Sequence, residues 1–233
     1  MITLENLLHD NTRGATSIFK DSLKLFLSEN DPGTVRYGVE KLKKQFPMMG
    51  LFVNLWTQIK AKDTIEEIHT ILDNLSKYLK SSFNQVIENA GNPLPNECRI
   101  MTISHSSYVR ELIINYKEKI SIVYCLESAP EFEGKALVNN LLKCGFSADV
   151  VPDTGYHSQL NNSTHIITGS DLISEKFFIN KSGTKSLVEM AIKHGKKVWI
   201  LGDTLRFVPY YIPEKIPNTF EIIEMREEIR IFH

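Results

Sequence analysis

The sequence predicts an α/β protein: an N-terminal helical domain over residues 1–95, then a doubly wound, mostly parallel sheet domain over residues 96–233. Three observations predict it. Residues 17–90 place apolar side chains at the 3.6-residue spacing of helices. The stretch GNPLPNE at 91–97 interrupts that pattern with Gly, Pro and Asn. Beyond it, short apolar runs alternate with amphipathic stretches, as strands buried on both faces do when helices separate them.

The elements follow in order. Ile18, Leu23, Phe26 and Leu27 define a helix over 17–28, which Asn30-Asp31-Pro32-Gly33 breaks. A second helix is expected over 33–46, ending before Pro47, and a third over 48–61. The longest runs from Thr64 to about Ala90, with Ile68, Leu72, Leu75, Leu79, Val86 and Ile87 on one stripe. Asp63 is its expected N-cap, with Glu66 three residues on. After the linker, strands are expected at 99–104, 120–126, 147–152, 164–168 and 197–201. Helices are expected at 107–117, 134–144 and 184–194.

Composition narrows the function. Lys and Arg number 27 against 28 Asp and Glu, a net charge of −1, which argues against a wholesale binder of nucleic acid or anionic membrane. No stretch approaches the roughly 20 apolar residues of a membrane helix, and the N-terminus lacks the pattern of a secretory signal. A cytoplasmic protein is expected. Three cysteines, with no CxxC pair, give neither a disulfide framework nor zinc spacing; Cys125 and Cys144 read as buried small hydrophobes. No metal or cofactor is expected.

In a doubly wound sheet, ligands bind outside the carboxyl ends of the strands. Those ends carry Ser104-His105-Ser106-Ser107, Glu127-Ser128-Ala129-Pro130, Asp153-Thr154-Gly155 and Gly169-Ser170-Asp171. Asp171 reads equally as a helix N-cap or as a general acid or base. Ser104 and His105 are neighbours on an extended strand, where successive side chains face opposite ways, and GxSxG is absent; a hydrolase is discounted. Asn180-Lys181-Ser182-Gly183-Thr184 opens a helix. Its free N–H groups and Lys181 could hold a phosphate; taken alone, it reads better as a helix capped by Thr184 or Ser182. Neither a P-loop nor GxGxxG is present.

Taken together, these pieces resemble one family: the alpha, beta and delta subunits of translation initiation factor 2B, with methylthioribose-1-phosphate isomerase and ribose-1,5-bisphosphate isomerase. Gly169-Ser170-Asp171-Leu172-Ile173 with Asn180-Lys181-Ser182-Gly183-Thr184 is similar to its Gly-Ala-Asp-x-Ile … Asn-Lys-Ile-Gly-Thr block. Glu127-Ser128-Ala129-Pro130 through Glu133-Gly134 resembles its Glu-Ser-Arg-Pro-x-x-(Glu/Gln)-Gly. Asp153-Thr154-Gly155 resembles Asp-Ser-Ala, and Asn218-Thr219-Phe220-Glu221 its closing Asn-Pro-Leu-Phe-Glu. Arg13-Gly14-Ala15 resembles the phosphate-contacting Arg-Gly-Ala. The resemblance implies a Rossmann-like sheet domain after a helical one, dimerisation through the sheet domain, and a phosphorylated sugar or nucleotide held by Arg13, Gly14, Ala15, Asn180 and Lys181.

Departures shape the functional expectation. Ser104 stands where the isomerases carry a cysteine that works with the motif aspartate, here Asp171, and no activating partner for Ser104 is evident in the sequence. A hydroxyl is a far weaker acid than a thiol near about 8.5. Ala129 replaces an arginine, removing an expected phosphate contact. The first expectation is therefore a non-catalytic, regulatory relative that binds a phosphorylated sugar or nucleotide and acts through protein contacts, as a homodimer or with a related subunit, without direct nucleic-acid or membrane contact. Phe207-Val208-Pro209-Tyr210-Tyr211-Ile212 could serve such a surface, although burial of most of it is the first expectation. The alternative is an aldose–ketose isomerase, an intramolecular oxidoreductase, with Asp171 and Ser104 catalytic. A third reading is a scaffold with a decayed pocket.

Overall fold

The computed structural model describes residues 2–10 and 13–233. The helical part contains α1 (Leu4–Leu8), α2 (Ala15–Leu27), α3 (Pro32–Gln45), α4 (Gly50–Ile59) and α5 (Ile65–Gly91). Asp31 caps α3 by accepting from the Thr34 N–H at 2.7 Å, with Pro32 at its first turn. The apolar stripes of α2 to α5 meet in one core around Phe19, Phe52, Leu55, Ile68 and Leu72. That core also takes in Leu172 and Ile179 from the second half of the chain.

The second part is a six-stranded sheet in the order β3-β2-β1-β4-β7-β9. Its strands are β1 (Cys98–Ile103), β2 (Ile120–Leu126), β3 (Ala148–Val151), β4 (His165–Gly169), β7 (Lys197–Leu201) and β9 (Ile229–Phe232), and every pairing is parallel. Alternate residues of β1 feed opposite faces. Cys98 and Ile100 join a core with α6 (Ser107–Asn115), α7 (Glu133–Lys143) and the end of α5. Met101 and Ile103 join another with α8 (His157–Asn162) and α9 (Thr184–Lys193). Apolar burial on both faces explains why these strands read as continuous apolar runs. A smaller antiparallel sheet, β5 (Leu172–Ile173), β6 (Phe177–Lys181) and β8 (Phe220–Glu224), sits between the large sheet and the helices.

Several expectations need correction. Thr64, not Asp63, caps α5, accepting from Glu67 N–H at 3.3 Å. Gly183, in the left-handed region at φ 95°, precedes α9, and neither Ser182 nor Thr184 caps it. The cap comes from β8: Glu221 accepts from Lys185 N–H at 3.0 Å and from Ser182 Oγ at 3.2 Å. Asn180 and Lys181 belong to β6 rather than to a helix start. Asp171 caps no helix; it joins β4 to β5. Ser104 lies just past the end of β1 at φ 66°, so it is not an extended strand residue. Cys144 is exposed at the end of α7. Phe207, Tyr210 and Ile212 are exposed as well, against the expected burial.

Close approach fixes one glycine. A Cβ on Gly134, at the start of α7, would lie 1.8 Å from the Leu126 carbonyl oxygen, which is backbone and cannot yield. Gly134→Ala is expected to push α7 off β2 and destabilise the fold by about 1–3 kcal/mol, measured by urea denaturation.

Candidate functional site

The carboxyl ends of β1, β4 and β6 open into a cavity of about 860 Å³, roofed by the start of α2 and the turn before α4. That volume suits a small molecule. Arg13, Gly14, Ala15, Ser104, Asp171, Asn180 and Lys181 all line it, although they are spread over most of the chain.

The start of α2 has no side-chain cap, because Gly14 occupies the N-cap position. Among the described residues, nothing accepts from the Ala15 and Thr16 backbone N–H groups, and both residues face the cavity. An uncapped helix start concentrates partial positive charge. Arg13 lies beside it, paired with Asp10 at 2.5 Å and Asp21 at 2.7 Å. Donating to Asp21 and then to Asp10 raises its pKa further.

On the opposite wall, Lys181 lies 3.3 Å from Glu133 and 3.7 Å from Glu131. Glu131 lies in the β2–α7 connection, and Glu133 opens α7. Buried Asn180 uses both amide hydrogens, on Thr168 Oγ at 2.9 Å and Thr184 Oγ at 3.0 Å, so it offers the cavity only its carbonyl oxygen. The start of α9, which the sequence suggested as a phosphate cradle, is taken by Glu221.

Asp171 is fixed through its backbone. Its N–H donates to Ile179 O and its carbonyl accepts from Gly50 N–H, both at 2.9 Å. Burial raises its carboxyl from 3.8 to about 6, and Arg206 and Lys181 hold that rise in check. Ser104 is not without a partner: its hydroxyl donates to Glu133 Oε2 at 2.6 Å. Its backbone N–H donates to Ser128 Oγ at 2.8 Å, and Ser128 is itself at φ 59°. Non-glycine residues in this region are strained, and such strain gathers at functional sites. His105 lines the cavity with its pKa lowered by burial, and no hydrogen bond joins it to Ser104 among the described residues.

Two cavity residues are not singled out by the sequence. Glu133 stands there only as one letter of a motif, and its reach to Ser104 and Lys181 depends on the turn at Phe132 (φ 56°). Arg206 has no local signal. It is 3% exposed, pairs with Asp203, donates to Thr16 Oγ at 2.6 Å, and stands 5.1 Å from the Tyr108 ring. Tyr108 in turn donates to Asp203.

Fold and site together define an α/β protein whose carboxyl-end cavity is closed by its own N-terminal helices. The Initiation factor 2 subunit family model matches residues 31–228, and the chain belongs to that family. A Pyrococcus furiosus protein, provisionally named translation initiation factor eIF-2B subunit 2-like, is 23% identical over 214 residues, covering 88% of this chain and 78% of the relative. The crystal structure of Pyrococcus horikoshii OT3 translation initiation factor eIF-2B superposes with a TM-score of 0.86 at 21% identity, over 98% of this chain and 92% of that one. A chain of the tetrameric eIF2B-beta2-delta2 complex from C. thermophilum gives 0.75 at 14% identity, over 95% and 84%.

Two outcomes follow from these side chains. Asp203→Ala leaves the buried Arg206 charge uncompensated and is expected to cost about 3–5 kcal/mol in urea denaturation. Asp171, with its pKa raised in the folded state, favours folding when protonated. Its contribution is lost as pH rises from about 4 to about 6. Asp171→Asn is therefore expected to be about 1–3 kcal/mol more stable than the parent at about pH 7, the gap closing towards about pH 4 in denaturation series across pH.

Proposed function

We propose that this protein is a non-catalytic, regulatory member of its family, binding a phosphorylated sugar or nucleotide in the carboxyl-end cavity. The observation that carries this reading is the uncapped start of α2, whose Ala15 and Thr16 N–H groups have no acceptor among the described residues and open into the cavity that Lys181 and Arg13 line. The phosphate takes the helix start, and Lys181 balances its charge once the glutamates yield. Asn180 orients by its carbonyl oxygen. The protein works in the cytoplasm through contacts with a second copy of itself or a related subunit, a reading supported by the tetrameric assembly of the C. thermophilum relatives. Exposed Tyr210 and Ile212 belong to that contact surface. Neither nucleic acid, membrane, metal nor cofactor enters the reading.

Thermal unfolding checks it. Ribose 5-phosphate or a nucleoside monophosphate, at about 100 times its dissociation constant, is expected to add about 2.7 kcal/mol of stability. Ribose should add none, and Lys181→Met should abolish the gain. A flat response to every phosphorylated compound would leave a scaffold with no ligand.

One observation favours a second reading, an aldose–ketose isomerase. A carboxyl raised to about 6 shares the cavity with a serine hydroxyl already bonded to a carboxylate. Turnover of ribose-1,5-bisphosphate or methylthioribose-1-phosphate that disappears in Asp171→Asn would establish it over the regulatory one.

A further inference from the structure

At the other end of the sheet, where β4, β7 and β9 begin, lies a second cavity of about 620 Å³. No residue of the carboxyl-end site belongs to it. Its floor is His165 and Trp199, each 4% exposed and edge-to-face at 4.8 Å. Both rings present a nitrogen with no partner among the described residues. The Trp199 indole N–H donates to nothing, and His165 uses only Nδ1, towards Thr164 Oγ at 3.0 Å and Cys98 Sγ at 3.3 Å. Neither free nitrogen is sealed from solvent, since the fully buried unpaired side-chain atoms are those of Ser82, Thr102 and Arg206. A ring N–H on the floor of an open cavity, with no acceptor among the described residues, is available to the acceptor atoms of a ligand.

The register places Lys197 beside His165, and Arg230 beside Trp199. Neither cation has an ion-pair partner among the described residues, in contrast to Arg13, Lys181 and Arg206 in the carboxyl-end cavity. Lys196 is already committed, donating to Asn161 O and Ser163 O. The only carboxylate of the wall is Glu228, which is exposed. Pro93, Pro95 and Ile192 complete the wall with apolar surface.

We infer that this cavity is a second ligand site, taking a small molecule with an apolar body and one carboxylate or phosphate group. The anionic group meets the indole N–H between Lys197 and Arg230, and the body lies against the prolines and Ile192. The inference stands apart from the function proposed for the carboxyl-end cavity.

The chain has two tryptophans, so the amide NMR spectrum of the uniformly ¹⁵N-labelled protein shows two indole peaks, and Trp199→Phe identifies the relevant one. Benzoate and phenyl phosphate at millimolar concentration are the probes, with benzyl alcohol as the neutral control. Saturable movement of the Trp199 peak by one or both anions, unmatched by the alcohol and lost in Lys197→Gln/Arg230→Gln, supports the site. A response to only one anion identifies the head group. Both substitutions fall on exposed side chains, and an otherwise unchanged spectrum certifies the fold. If folding suffers, the single variants replace the double one, each expected to weaken binding. The inference is overturned by a motionless peak, by equal movement with the alcohol, or by anion binding that survives in every charge variant. Parallel titration of Lys181→Met keeps the two cavities separate, because the Trp199 response should be unaffected by it.

Discussion

Everything at the carboxyl-end cavity depends on the buried guanidinium of Arg206. It is linked to Asp203 in its own turn, to Thr16 on α2 and, across the ring face, to Tyr108 on α6. The backbone of the same residue lies against Gly50, where a Cβ would come within 2.5 Å of its carbonyl oxygen. Gly50 in turn donates to the Asp171 carbonyl. One side chain and one tight backbone approach thus set where the helical roof rests on the sheet. A buried ion pair is weak evidence for stability, since desolvation offsets much of the attraction, but separating its members leaves a buried charge uncompensated, which is costly. The role of Arg206 is to fix geometry.

The charge pattern inside that cavity has a direct reading. Arg13 is held by Asp10 and Asp21, and Lys181 by Glu131 and Glu133. In the proposed reading an anion competes with these carboxylates, whereas the start of α2 carries no side-chain cap among the described residues. In the second cavity, by contrast, Lys197 and Arg230 have no ion-pair partner among the described residues, Arg230 lying 4.5 Å from the Phe232 ring, and the Trp199 indole N–H has no acceptor among them.

The apolar runs made β1, β2, β3, β4 and β7 and the large helices legible, because apolar burial leaves a pattern that needs no partner to interpret. The missing elements were those whose reason lies elsewhere in the chain. Leu172–Ile173 is too short to carry a period, and β6 and β8 exist as a pair, each mixing apolar and charged residues. The cap of α9 comes from Glu221, far along the chain, so local pattern points instead to Ser182 and Thr184. At the site, residue types pointed to Asp171, Lys181 and the Arg13–Ala15 turn, all of which line one cavity. Arg206 and Glu133 stayed hidden because their importance is spatial: nothing in the local sequence distinguishes an arginine that ends up 3% exposed.

Helix α5 carries a last consequence. Its 27 residues span about 40 Å, with Ile68, Leu72 and Leu75 in the helical core and Val86, Ile87 and Ala90 in the core beneath the sheet. Severing the chain in the segment before β1 would therefore strip each fragment of part of its interior. Neither piece should be obtainable as a well-behaved soluble fragment. Heat or protease should take the whole molecule apart in one step, with α5 acting as the shared beam of both halves.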